Sequence, residues 1–490
     1  MYRYAGMTRR EALKTAGGLL AAAAFPVRAA EVPVSPVMTR LSTYMSDAAA
    51  HALPDEVVEK TKQHILDTFA AMISGVDLPP GRVALQFARA HPGEKVATVA
   101  ASGVVCGAIE AALANGMLAH SDETDDSHAP SQSHPGCAVI PAALAAGEQF
   151  GIDGTRFLRA VALGYDVGPR VTMTLGALPY QMETHRSSHS IAEDFGAAAA
   201  AGCAAGLNAH QMRWLLDYAA QQASGIAAWE RDTEHVEKSL VFAGMPARNG
   251  VTAALLIQLG GSGVEDILSG PDNFLMAFNP KADPEKLIEK LGERYEVMRT
   301  NIKKWTVGSP IQAPLDALEI MMKKRPFDAN QVRSVVVRVA TSEANTVNNR
   351  EMPDICMQHM IAVMLIDKTA SFQAAHDKPR MQDAGVLRQR AKVQLVPDEE
   401  MERRYPKRET AVEVTLNDGT VLSERVEAVR GTTDNPMTRE EVVAKCRELT
   451  APKLGVEKSA KLIERVLSIE SMRNIRELRP LLQITKTASR

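Results

Sequence analysis

Val332-Arg333-Ser334-Val335-Val336-Val337-Arg338-Val339 decides the fold, because it is the first stretch of the chain that is both β-branched and partly alternating. Valine is stiff at χ1 and suits a pleated, half-buried surface, so the run predicts a strand. Downstream, Ala391–Val396 predicts another. Thr410–Leu416 and Val421–Val429, joined through Asn417-Asp418-Gly419-Thr420, predict a hairpin, since Asp-Gly tolerates the positive φ of a tight turn. Met357–Ile366, between the first two strands, reads as a helix. Upstream the pattern differs. From Leu41 to about Leu291 no strand pattern occurs, whereas Leu53–Gly75 repeats apolar residues at helical spacing (Val57, Val58, Ile65, Leu66, Phe69, Ile73). Further helices are predicted at Val104–Ala119, Cys137–Phe150, Gly154–Val171, Ala192–Leu207, Ala209–Ser224, Ala243–Leu259 and Val264–Leu268. Helical patterns return at Arg439–Leu449 and Ser459–Leu467. The chain therefore reads as mainly α: a large all-helical domain over 41–292, an inserted smaller α+β domain over 293–432, and C-terminal helices over 433–485 that return to the first domain.

Composition agrees. At 490 residues the chain exceeds the roughly 250–300 that one core accommodates. Alanine-rich stretches, 4% aromatics and 22 methionines favour helix over strand. A formal net charge of −3 supplies no basic field for nucleic acid. The five cysteines form no CxxC pair, which argues against a disulfide framework, a zinc knuckle and an iron–sulfur cluster. In residues 1–30, Thr8-Arg9-Arg10-Glu11-Ala12-Leu13-Lys14 precedes a weakly apolar run and the small residues Ala29 and Ala30, the layout of a twin-arginine export signal. The expectation is a periplasmic protein, cleaved near Ala30 and not inserted in the membrane afterwards.

The densest polar stretch is Asn115-Gly116-Met117-Leu118-Ala119-His120-Ser121-Asp122-Glu123-Thr124-Asp125-Asp126-Ser127-His128, followed by Ser133-His134-Pro135-Gly136. Four carboxylates and three imidazoles fall within the 15 residues from His120 to His134. Crowded carboxylates raise one another's pKa values and histidine titrates near neutrality, so the stretch can supply a proton donor and an acceptor. A metal site is the rival reading, although no HExxH or regular i,i+4 histidine pair is present. A solvated loop with capping Asp and Ser is the other.

The order Asn115-Gly116, His120, Asp125-Asp126-Ser127, His134-Pro135-Gly136 and Pro141 resembles the signature of the MmgE/PrpD family, in which NG, AH, DFDDT and HPS/HPG precede a buried helix. Similar landmarks stand at Leu66-Asp67-Thr68, Gly164-Tyr165-Asp166, Phe195-Gly196, Lys238 with Gly244, and Lys303. The resemblance covers about Leu41 to Leu482 and implies metal-free, cofactor-independent proton chemistry on a small polycarboxylate, in a homodimer. It implies site roles for His134, Ser127 and Glu123, with Asp122 beside the last as an alternative. It implies Lys238 and Lys303 as carboxylate anchors, alongside His120 and Asp126. A further family histidine falls near Ser187, flanked by His185 and His189, of which His189 is taken. His359 would place a polar ring in the small domain's helix. The chain also departs from the pattern. Phe242 stands at a histidine position, one residue is inserted between Lys238 and Gly244, and Gly308 and Gln312 replace histidines, which argues against cis-aconitate decarboxylation.

The expected reaction is dehydration of a 2-methylcitrate-like hydroxy acid, with His134 or His189 as base and Glu123 or Asp125 as an acid kept protonated by crowding. Two-base epimerisation of a dicarboxylate is an alternative, as is an exported binding protein that has lost activity. His64, His91 and His210 read as surface or capping histidines, and Met357, Met360 and Met364 as core.

Overall fold

The computed structural model describes residues 33–484; the expected export segment, 1–30, lies outside them. The chain is mainly helical, and its buried apolar residues form two cores. One draws on residues 37–302 and 437–482, the other on 305–429.

The larger core is built round helix Ser188–Ala205, whose residues are nearly all buried. Its alanines favour helix and let neighbours approach, so helices Gly136–Phe150, Gly154–Leu175 and Met245–Gln258 pack directly on it. A Cβ on Gly164 would come within 2.7 Å of the Gly196 carbonyl oxygen, and one on Gly168 still closer to the Ala192 carbonyl oxygen, so this crossing requires glycine. Helix Arg439–Leu454 packs on helix Asp55–Ser74.

The smaller core lies against a four-stranded sheet. With β1 (Ala97–Thr98) and β2 (Val105–Cys106) forming a separate pair, the sheet comprises β3 (Val332–Ala340), β4 (Val393–Asp398), β5 (Thr410–Leu416) and β6 (Val421–Val426) in the order β4-β3-β5-β6. β3 runs parallel to β4 and antiparallel to β5, and β5 and β6 form the expected hairpin. Helices Ser309–Lys324 and Met357–Asp367 cover the sheet, with Met357, Met360 and Met364 fully buried.

Two local expectations fail. Val105–Cys106, expected in a helix starting at Val104, is a strand, and the helix begins at Ala108. Val264–Leu268 is irregular because Asp266 Oδ1 accepts from the Leu268 and Ser269 N–H groups, a local alternative to helical bonds. Residues Val236–Gln258 run as one helix long and apolar enough to cross a bilayer, but the run is mostly buried and carries Lys238 into the polar cluster described next.

Candidate active site

The loop between helix Ala108–Ala119 and helix Gly136–Phe150 is folded inward, and every residue from His120 to His128 is buried. This burial excludes the solvated-loop reading. Glu123 is the hub: Lys238 donates to its Oε1, Lys303 Nζ lies 3.4 Å from Oε2, and Lys303 also donates to the Glu123 carbonyl at 2.9 Å. His120 Nδ1 donates to Asp125 Oδ2 at 2.9 Å, His134 Nδ1 lies 3.4 Å from the same oxygen, and Lys303 Nζ is 3.7 Å from Asp125 Oδ1. Phe242 packs against the cluster's rings, stacked on His120 and His189 with centroids 4.8 and 4.2 Å away. His134 and His189 lie 5.4 Å apart.

The electrostatics separate bases from anions. Burial alone would push the Glu123 carboxyl up, but Lys238 and Lys303 outweigh it and hold the group well below the usual range. Asp125 is likewise held down against burial by its imidazole neighbours and Lys303. Burial keeps His134 neutral despite Asp125, and burial, then His134 and Lys238, drive His189 well down. The expected protonated acid is therefore neither Glu123 nor Asp125, because cations face both. Burial does raise Asp354, to about 7, with Glu123 and Asp122 adding repulsion; it also raises Glu193, whose Oε1 accepts from the His134 backbone.

The structure sorts the other expected residues. His189 belongs to the cluster, whereas His185 is exposed at the end of helix Ala177–Thr184. Asp122 turns to His376, 2.8 Å away on the small domain, while Glu123 takes both lysines. Ser127 pairs through its backbone with Asn301, next to the Lys303 segment. Asp126 faces away: its Oδ2 takes His64 at 2.8 Å and the Tyr165 hydroxyl at 2.5 Å, and its Oδ1 accepts from Gly136 N. It is thus a brace and not a substrate ligand. A Cβ on Gly136 would lie 2.8 Å from Asp126 and 2.6 Å from Tyr165, so this contact requires glycine. His64, expected at the surface, is fully buried by the same pairing. His359 is also buried, but its charged neighbours are Arg390, Arg380 and Asp377, and no contact joins it to Glu123 or Asp125. Helical phase carries it to the small domain's interior.

Three groups escaped sequence reading: His376, Asp354 and His235. The first two come from distant segments without a local motif. His235 carried a signal in standing three residues before Lys238; it immediately precedes the helix that starts at Val236, and its Nε2 is 3.9 Å from Glu123 Oε1. The inserted residue after Lys238 is absorbed by a π-helical turn, Leu240–Gly244, which lets Lys238 and Phe242 both reach the cluster.

The profile of the MmgE/PrpD N-terminal domain matches residues 39–287, and that of the MmgE/PrpD C-terminal domain matches 305–470. The chain belongs to the MmgE/PrpD family. Among its relatives, a cis-aconitate decarboxylase of Aspergillus terreus is 24% identical over 485 residues, covering 91% of this chain and 96% of that protein. The Homo sapiens cis-aconitate decarboxylase is 23% identical over 454 residues, covering 88% and 91%. At Gly308 this chain presents only a helix start, and Gln312 uses its side chain on the backbone of Trp305 and Val307.

His120, Asp125 and His134 bring donor atoms close enough together for a cation, as do His120, Glu123 and His235. Both carboxylates already face ammonium groups, and a divalent ion there would be repelled by Lys238 and Lys303. The donor set therefore fits proton transfer better than metal binding.

Proposed function

We propose that this member of the family is a lyase that removes water from a small hydroxylated polycarboxylate of the 2-methylcitrate kind, using protein groups alone. One observation carries the reading: neutral, buried imidazoles at His134 and His189 stand beside two fixed ammonium groups, Lys238 and Lys303. The lysines would hold the substrate carboxylates and stabilise charge as the proton on the adjacent carbon leaves. His134, with His189 as the alternative, accepts that proton. The electron pair left behind forms the double bond, and hydroxide departs from the neighbouring carbon. Asp354, on the small domain within electrostatic reach of His376, Glu123 and Lys238, supplies the proton that makes it water.

The names of the relatives favour a second reading, decarboxylation of an unsaturated tricarboxylate. The absence of an imidazole at Gly308 and Gln312 weighs against it. Incubating the protein with a panel of citrate-like and aconitate-like acids, with NMR detection of products, separates the two. An unsaturated acid formed from a hydroxy acid supports dehydration, and carbon dioxide release from cis-aconitate supports the rival. Activity is expected to survive chelation, and loss restored by one metal would overturn the metal-free reading. We further propose, from the Thr8-Arg9-Arg10 motif, that the protein is exported, which N-terminal mass spectrometry of the protein recovered from export-competent cells tests.

A further inference from the structure

His235 is the least comfortable residue of the cluster. Its backbone lies in the left-handed region at φ +63°, which bulky residues avoid. Its ring is buried, yet neither Nδ1 nor Nε2 has a hydrogen-bond partner. Buried imidazoles ordinarily satisfy at least one nitrogen, as His64 does with Asp126 and His128 with Ser131 and Glu296. His359 also has neither nitrogen paired, but of the two only His235 combines this with a left-handed backbone and a place beside Glu123 and Lys238. A strained residue with two unmet polar atoms persists where the surroundings over-determine it, and such residues gather at ligand sites.

The neighbours define what the ring is offered. Lys238, on the next turn, His120, with its centroid 5.1 Å away, Glu123 and Asp125 are the charged and titratable groups facing it. Burial and the Lys238 charge keep the imidazole neutral, so it presents one N–H and one lone pair. The lysines of this site suit carboxylates, which only accept hydrogen bonds. The lone pair of His235 needs a donor, and the substrate group able to give one is a hydroxyl.

We infer that His235 contacts the hydroxyl of the bound acid and selects hydroxylated polycarboxylates over their deoxy counterparts. The inference rests on the polycarboxylate reading above and narrows its substrate class. It places the hydroxyl at the Glu123–Lys238 end of the cluster, within electrostatic reach of Asp354.

The test compares binding of citrate and tricarballylate, which differ by that hydroxyl, to wild type, His235→Gly and His235→Gln by calorimetry. Wild type is expected to prefer citrate roughly tenfold or more, because tricarballylate leaves the buried ring unpaired. His235→Gly should lose the preference while binding tricarballylate as wild type does. His235→Gln, which keeps a donor and an acceptor, should retain part of the preference and serves if the glycine variant does not fold. No preference in wild type, an unchanged preference in the variants, or equal weakening of both acids would overturn the inference. A His235-dependent preference in a protein that dehydrates none of the panel would leave the inference standing and remove the lyase reading; dehydration without that preference does the reverse.

Discussion

Asp125 and Asp126 are adjacent in the chain and equally buried, yet they face opposite worlds. Asp125 looks forward, onto His120, His134 and Lys303. Asp126 looks back, onto His64, Tyr165 and the Gly136 amide. Nearby, Lys445 bonds Asp67 at 2.6 Å and the Thr124 carbonyl at 3.0 Å, which ties helix Arg439–Leu454 to the rear of the loop. The front leaves polar atoms unmatched, including His120 Nε2, His134 Nδ1 and His189 Nδ1. The rear directs its charged contacts onto the protein itself, although His64 Nε2 and Asp67 Oδ2 are unmatched there too. Proximity in sequence to catalytic-looking residues therefore does not make a residue catalytic; the direction of its side chain does.

If that division holds, breaking the rear should unfold the protein and breaking the front should silence it. The largest effect is expected from Lys445→Met, which leaves Asp67 buried without its cation. A loss of about 3–5 kcal/mol in denaturant unfolding is predicted, the usual scale for removing one partner of a buried pair. Next is His134→Ala, which should lower kcat by roughly 10²-fold with the unfolding midpoint little changed. A folded variant that turns over at the wild-type rate would transfer the base to His189. Lys238→Ala should act more mildly and mainly on KM, raising it about tenfold, because an anchor binds substrate and transition state alike. A fall in kcat alone would instead assign Lys238 to charge that develops only in the transition state.

The smallest effect concerns the junction between the cores. The Asp122 carboxylate raises His376 from its ordinary 6.5 to about 9 against burial. A raised histidine adds stability that is fully present below about 6.5 and is lost as pH rises through about 9. His376→Gln should thus unfold earlier than wild type at pH 6, and the gap should close above pH 9. A gap independent of pH would show that the ion pair is not its source.

The same division explains what could be read from sequence. β3 and the β5–β6 hairpin were legible because one face of each is buried and the Asp418-Gly419 turn is local, with Gly419 at φ +86°. β1 and β2, two residues each, are too short to show a period. In the site, Glu123, Asp125 and His134 stood out because one loop concentrates them, and Lys238 and Lys303 through family resemblance. His376 and Asp354 reach the loop from the other core, so their juxtaposition is tertiary. Asp126 and His64 were misjudged for the same reason: sequence gives the density of titratable groups but not which way each one points.

The most direct test of the central claim, that the front of this loop moves protons next to a carboxylate, is isotope exchange in heavy water. Wild-type protein incubated with a citrate-like acid should introduce deuterium at the carbon adjacent to a carboxylate, and His134→Ala should slow that exchange by roughly 10²-fold. Saturable binding of the acid by wild type with no deuterium incorporated would contradict the account and make the protein a receptor.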